Sequence, residues 1–118
     1  MINVTLYHHS RCSKSRAALA LLQDRGITPA VIDYINNPLS ERELLDLLNT
    51  LTLSAVDLIR KKDPLFRVQS LDKNASEADC LHAMLREPRL IERPIVITPQ
   101  GACVARPPER LLEILPDV

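Results

Sequence analysis

The stretch from Val4 to Tyr34 constrains the fold most, because a strand-like run, a helix-like run and a second strand-like run follow one another in about thirty residues. Val4-Thr5-Leu6-Tyr7 has strand propensity and leads into the polar loop His8-His9-Ser10-Arg11, which ends at Cys12. Ser13 to Arg25 carries Ala17, Ala18, Leu19, Leu21 and Leu22 as one apolar stripe of good helix formers, and Gly26 supplies a C-terminal stop. Ala30-Val31-Ile32-Asp33-Tyr34 then reads as the second strand. A βαβ unit of this length implies a parallel strand pair with a right-handed crossover.

The next segment changes character. Ser40 with Glu43, Ser54 with Asp57 and Ser76 with Asp79 are capping-box pairs, and they predict helices over Glu41 to Asn49, Ala55 to Arg60 and Glu77 to Arg86. Asp63-Pro64 and Glu87-Pro88 interrupt them. Strand character returns in Ile95-Val96-Ile97. Thr98-Pro99-Gln100-Gly101 is turn chemistry, and Ala102 to Ala105 can pair back as a hairpin. Pro107 and Pro108 suit the first turn of a last helix whose buried stripe is Leu111, Leu112, Ile114 and Leu115. The order βαβ, helical insert, ββα predicts an α/β, thioredoxin-like fold with a four-stranded mixed sheet. Residues 1–118 are expected to form a single domain, with the helical insert at about 38–88.

Charge and cysteine usage narrow the partners. Fifteen basic and fifteen acidic side chains cancel, so no global field draws the chain to nucleic acid or to an anionic membrane. Tyr7, Tyr34 and Phe66 are too few to stack single-stranded bases. No run approaches the ~20 apolar residues of a membrane span. The opening Met1-Ile2-Asn3-Val4-Thr5 lacks the features of a secretory signal, so a cytoplasmic location is expected. Three cysteines spaced far apart read as free thiols rather than as a disulfide framework. No Cys/His spacing suits zinc, so no metal is expected, and His9 and His82 read as solvated histidines.

Cys12 is the candidate nucleophile. A thiol between a strand and a helix N-terminus meets unsatisfied N–H groups and the positive end of the dipole, which can bring its pKa from ~8.5 into the range of roughly 3.5 to 7.5. Arg11, Lys14 and Arg16 add positive charge, and His8 can hydrogen-bond the sulfur or move protons for it. In Cys12-Ser13-Lys14-Ser15 a serine stands where a Cys-x-x-Cys motif has its second cysteine, so the motif is monothiol. An external thiol such as glutathione, or a glutaredoxin, must then resolve an adduct on Cys12. Ser15 either donates a hydrogen bond to the thiolate or is a solvated helix residue. Arg60, Arg93 and Arg106, if they converge beside the sulfur, suit a tetrahedral oxyanion. Cys80 and Cys103 read as structurally buried, with Cys103 a second candidate to resolve an adduct should it lie within disulfide reach of Cys12.

His8 through Arg16 (HHSRCSKSR), Ile59 through Lys62 (IRKK), Ile91 through Thr98 (IERPIVIT) and Ala105 through Glu109 (ARPPE) together resemble the glutaredoxin-dependent arsenate reductase family, in its Cys-Ser-Lys-Ser-Arg branch. The resemblance runs over nearly the full chain. It implies an arsenate reductase in which Cys12 attacks arsenate, glutathione serves as co-substrate, and glutaredoxin clears the mixed disulfide as arsenite leaves. It also implies Arg60, Arg93 and Arg106 as oxyanion-binding residues, His8 and Ser15 as residues that tune the nucleophile, and Pro94 as a cis proline. No tightly bound cofactor and no oligomer are implied, so a monomer is expected. Two other functions fit a monothiol site on this fold: a general glutathione-linked disulfide reductase, and a thioredoxin-fold adaptor without catalytic activity. The adaptors' hallmark dithiol is absent here.

Overall fold

A computed structural model of the chain describes residues 3–115. Its backbone divides into two compact units, one from residues up to Asn36 together with those from Arg93, the other Asn37–Glu92.

The first unit is built on the strands β1 (Thr5–Tyr7), β2 (Ala30–Ile32), β3 (Ile95–Thr98) and β4 (Gly101–Val104), in the order β2-β1-β3-β4. The β1–β2 pair is parallel, and β1–β3 and β3–β4 are antiparallel. This mixed four-stranded sheet is the thioredoxin-like arrangement that the order of elements predicts. Helix α1 (Ser13–Asp24) makes the crossover. Gly26 ends it with φ of 74°, and Gly26 and Ile27 donate to the carbonyls of Gln23 and Leu22. A left-handed residue is needed there, and glycine takes that conformation without a Cβ penalty.

Register decides which side chains share a face. Leu6 stands opposite Val96, and Val96 opposite Cys103, so these cross-strand partners point to one side. There Val4, Leu6 and Val96 pack with Ala18 and Leu22 of α1, Ala105 and Leu111. Cys103 packs half-buried against this cluster. The sequence predicts β2 as far as Tyr34, but the strand stops at Ile32. The reason is Asp33, whose Oδ1 accepts from the N–H groups of Ile35 and Asn36 and turns the chain. The last helix is a 3₁₀ segment, Pro108–Ile114. With three residues per turn, Pro108, Leu111 and Ile114 fall on one side, and the first two are buried.

The second unit contains α2 (Glu41–Leu51), α3 (Ala55–Leu58), α4 (Pro64–Val68) and α5 (Glu77–Arg86), followed by a 3₁₀ turn at Pro88–Leu90. All three capping boxes form, at Ser40, Ser54 and Ser76. Glu77 adds a second cap to α3, accepting from Ala55 N–H at 2.6 Å and Val56 N–H at 3.1 Å. Helix α3 ends before Arg60, earlier than its pattern predicts, because Ile59 turns extended and bridges Ile91, while Arg60 N–H donates to the Leu90 carbonyl. Asp63-Pro64, expected to interrupt, instead opens α4: Pro64 occupies its first turn, and Asp63 accepts from Leu65 N–H at 2.9 Å. Among the described residues no helix is long and apolar enough to cross a membrane.

Candidate active site

The end of β1 and the start of α1 fix the site. His8 N–H continues the ladder by donating to the Ile32 carbonyl, after which the chain turns so that Cys12 N–H donates to the His9 carbonyl. Cys12 is the N-cap of α1, and its carbonyl accepts the first helical bond from Arg16. The thiol is half-buried. Burial pushes its pKa up, but the N–H groups of Ser15 and Lys14 and the guanidinium of Arg93 favour the thiolate and hold the thiol below its ordinary value. Arg16 reaches back to donate to the Ser10 carbonyl at 2.9 Å, which ties the loop to the helix.

Ser15 is fully buried, which excludes the solvated role. Its hydroxyl is engaged away from the sulfur: Oγ lies 2.6 Å from His8 Nδ1 and accepts from His9 N–H at 3.1 Å. Ser15 therefore acts on Cys12 through its backbone N–H. Burial lowers the His8 pKa against the pull of Asp33, with Arg16 lowering it further, so its imidazole favours the neutral form. The local sequence around Asp33 does not mark it as part of the site. The parallel register that pairs Tyr7 with Ile32 carries the signal, since it sets the next residues, His8 and Asp33, side by side.

His9 departs from the expected solvated histidine. It is half-buried, and its Nδ1 is enclosed without a hydrogen-bond partner. Burial, then the charge of Arg93, lower its pKa, with Asp33 acting the other way. His82 is exposed and sits 3.7 Å from Glu41.

The Arg93–Pro94 peptide is cis, as is Arg106–Pro107. Ala105 N–H donates to the Pro94 carbonyl, and Arg106 Nη1 donates to the Arg93 carbonyl at 3.0 Å. The structure thus brings Cys12, His8, Ser15, Arg93, Pro94 and Arg106 together in the sheet-based unit, with Arg106 spending one N–H on the segment that carries Arg93. Arg60 belongs to the helical unit. Its Nε lies 3.6 Å from Asp63 Oδ2, and Nε and Nη1 are enclosed without hydrogen-bond partners.

Cys80 is buried on α5, where burial and the carboxylate of Glu77 push its thiol up. Burial likewise raises Cys103. Cys12 is the one cysteine whose surroundings favour the nucleophilic form. Among the described residues no cluster of His, Cys, Asp and Glu could hold a metal ion.

A mixed sheet with an ionisable thiol where its first strand gives way to a helix defines a thiol-bearing protein of the thioredoxin-like class. Within that class the chain belongs to the ArsC family, whose model matches residues 7–114. The chain is 43% identical over 114 residues to the uncharacterized protein YfgD of Escherichia coli K12, covering 95% of this chain and 96% of that one. It is 40% identical over 117 residues to an arsenate reductase of Rhizobium meliloti, covering 98% of this chain and 84% of the relative. The solved structure of an arsenate reductase from Vibrio cholerae superposes with a TM-score of 0.88 at 43% identity, covering 97% of this chain and 98% of the other.

Proposed function

We propose that this protein is an arsenate reductase that converts arsenate to arsenite with glutathione and glutaredoxin as electron donors. The observation that carries the reading is the Cys12 thiol, favoured as thiolate by the start of α1 and by Arg93, in a chain of the ArsC family. The thiolate attacks arsenic(V), forming a sulfur–arsenic bond as an oxygen leaves as water. Glutathione supplies the second thiol. The two sulfurs together give up an electron pair, arsenic leaves as arsenite, and Cys12 is left in a mixed disulfide with glutathione, which glutaredoxin reduces. Serine at position 15 supports this dependence on an external thiol, because the motif cannot close its own disulfide.

In this reading Arg93 stabilises the thiolate and, with Arg106, binds the oxyanion. His8 and Ser15 order the loop around the nucleophile, and Pro94 shapes the segment facing it. Residues 1–118 act as one domain with a helical insert. The protein works as a monomer in the cytoplasm, where glutathione keeps thiols reduced.

The test is a coupled assay with glutathione, glutaredoxin, glutathione reductase and NADPH. Arsenate-dependent NADPH oxidation well above that of Cys12→Ser is expected. Equal rates in the two proteins would refute arsenate as substrate. Turnover of a glutathionylated test disulfide without stimulation by arsenate would identify the general disulfide reductase instead.

A further inference from the structure

The helical unit contains a half-open cavity of about 680 Å³ that the chemistry proposed for Cys12 does not use. Val56, Phe66 and Leu71 give it an apolar wall, and Lys61, Arg67 and Lys73 bring cations to it. Hydrogen bonds shape the wall. Helix α4 closes with Ser70 at φ of 61°, while Ser70 N–H donates to the Arg67 carbonyl at 2.8 Å and Leu71 N–H to the Phe66 carbonyl at 3.2 Å. This closure turns the chain and brings Leu71 to the same cavity as Phe66. The loop beyond is tied as well, since Asp72 accepts from Asn74 N–H through its side chain and from Ala75 N–H through its carbonyl.

The charge of this cavity is unbalanced. Three cations line it against the single carboxylate of Asp72, three minus one leaving two positive charges. None of the side chains of Lys61, Arg67 and Lys73 makes an ion pair or hydrogen bond among the described residues. Nearby acids are committed elsewhere: Asp57 accepts from Ser54 N–H, Asp79 from Ser76 N–H, and Glu77 caps α3. Asp57 still acts on Lys61 through its charge alone. Unpaired cations around a preformed apolar hollow match a ligand that joins a greasy body to an anionic head.

We propose that this cavity is a second binding site, for an amphipathic organic anion. Its aromatic or aliphatic body lies on Val56, Phe66 and Leu71, and its carboxylate, sulfonate or phosphate head is held by Lys61, Arg67 and Lys73. The site is independent of arsenate chemistry and stands whether or not that assignment holds.

The probe is anilinonaphthalene sulfonate, an apolar fluorophore with an anionic head, compared with the uncharged N-phenylnaphthylamine. On the full chain the sulfonate is expected to bind saturably at one site, with amide shifts in an NMR titration concentrated between Val56 and Cys80. The double variant Arg67→Glu, Lys73→Glu changes only exposed side chains. It is expected to weaken sulfonate binding at least about tenfold while leaving the uncharged probe's affinity unchanged. Non-saturable binding, shifts centred elsewhere, equal losses for both probes, or no loss for either would each overturn the proposal.

Discussion

The His8 imidazole and the Ser15 hydroxyl meet across the turn from β1 to α1, with Nδ1 2.6 Å from Oγ. Because the same oxygen accepts from His9 N–H at 3.1 Å, one buried hydroxyl ties down both histidines of the loop that ends at Cys12. The loop's shape and the thiol's ionisation are thereby governed by different atoms of Ser15, its side chain and its backbone N–H.

Ser15→Ala separates the two. Removing Oγ leaves His9 N–H and His8 Nδ1 without this partner in a partly enclosed site, a loss of about 1–3 kcal/mol. Alanine keeps the N–H that faces the sulfur. Urea unfolding should therefore reveal a clear loss of stability, while the pH midpoint of Cys12 alkylation stays near the wild-type value. An unaltered urea midpoint, or a thiol restored to ordinary behaviour, would contradict this division of labour.

Acid should destabilise the protein through the same loop. His8 and His9 are both held below their ordinary value, by burial first in each case, with Asp33 opposing and Arg16 or Arg93 adding to the shift. Below about 6.5 the unfolded chain gains protons that the folded chain resists. The contribution is complete above that pH and is lost as pH falls toward the lower folded values. Urea midpoints measured from about pH 8 down to pH 5 should decline, and His9→Asn should flatten the decline. A wild-type midpoint that rises on acidification is the contrary result.

The sheet was legible because its determinants are local: the strand propensity of Val4 to Tyr7, the stripe of α1 with Gly26 behind it, and the turn at Thr98 to Gly101. The caps at Ser40, Ser54 and Ser76 were legible because a capping box is a spacing of three residues. What failed to show depends on partners distant in sequence or on competition for one atom. Helix α3 loses its last two residues to a bridge between Ile59 and Ile91, and β2 is cut short by the Asp33 side chain. Cys12 is recognisable from its neighbours, but the sequence does not say that the Ser15 hydroxyl turns toward His8, or that Arg106 donates to the Arg93 carbonyl.

The other cysteines should be dispensable. Cys103 sits half-buried against the sheet's core and Cys80 is enclosed on α5, both thiols pushed up by burial. Cys80→Ser, Cys103→Ser in one chain should keep most of the arsenate-dependent, glutathione-dependent turnover, at some cost in stability for the buried hydroxyls. If turnover collapsed while the fold survived by circular dichroism, one of these thiols would have to be the resolving group, and the need for glutathione would fall away.

Arg93 offers the sharpest separation of electrostatics from structure. Burial works against ionisation of Cys12, and Arg93 opposes it both by hydrogen bonding to the sulfur and by its charge, alongside the N–H groups of Ser15 and Lys14. Arg93→Ala should therefore move the alkylation midpoint up toward the ordinary cysteine range near about 8.5. Arg93→Lys should recover part of the shift, since it restores the charge but not the planar fork. Arg106→Ala should move the midpoint less than Arg93→Ala, because Arg93 acts on the sulfur itself whereas Arg106 donates to the Arg93 carbonyl. Iodoacetamide rates followed across pH on Cys80→Ser, Cys103→Ser protein isolate the Cys12 signal. Coincident midpoints for wild type and Arg93→Ala would mean that the start of α1 alone sustains the thiolate, and Arg93 would be left with the oxyanion as its only charge partner in the reaction.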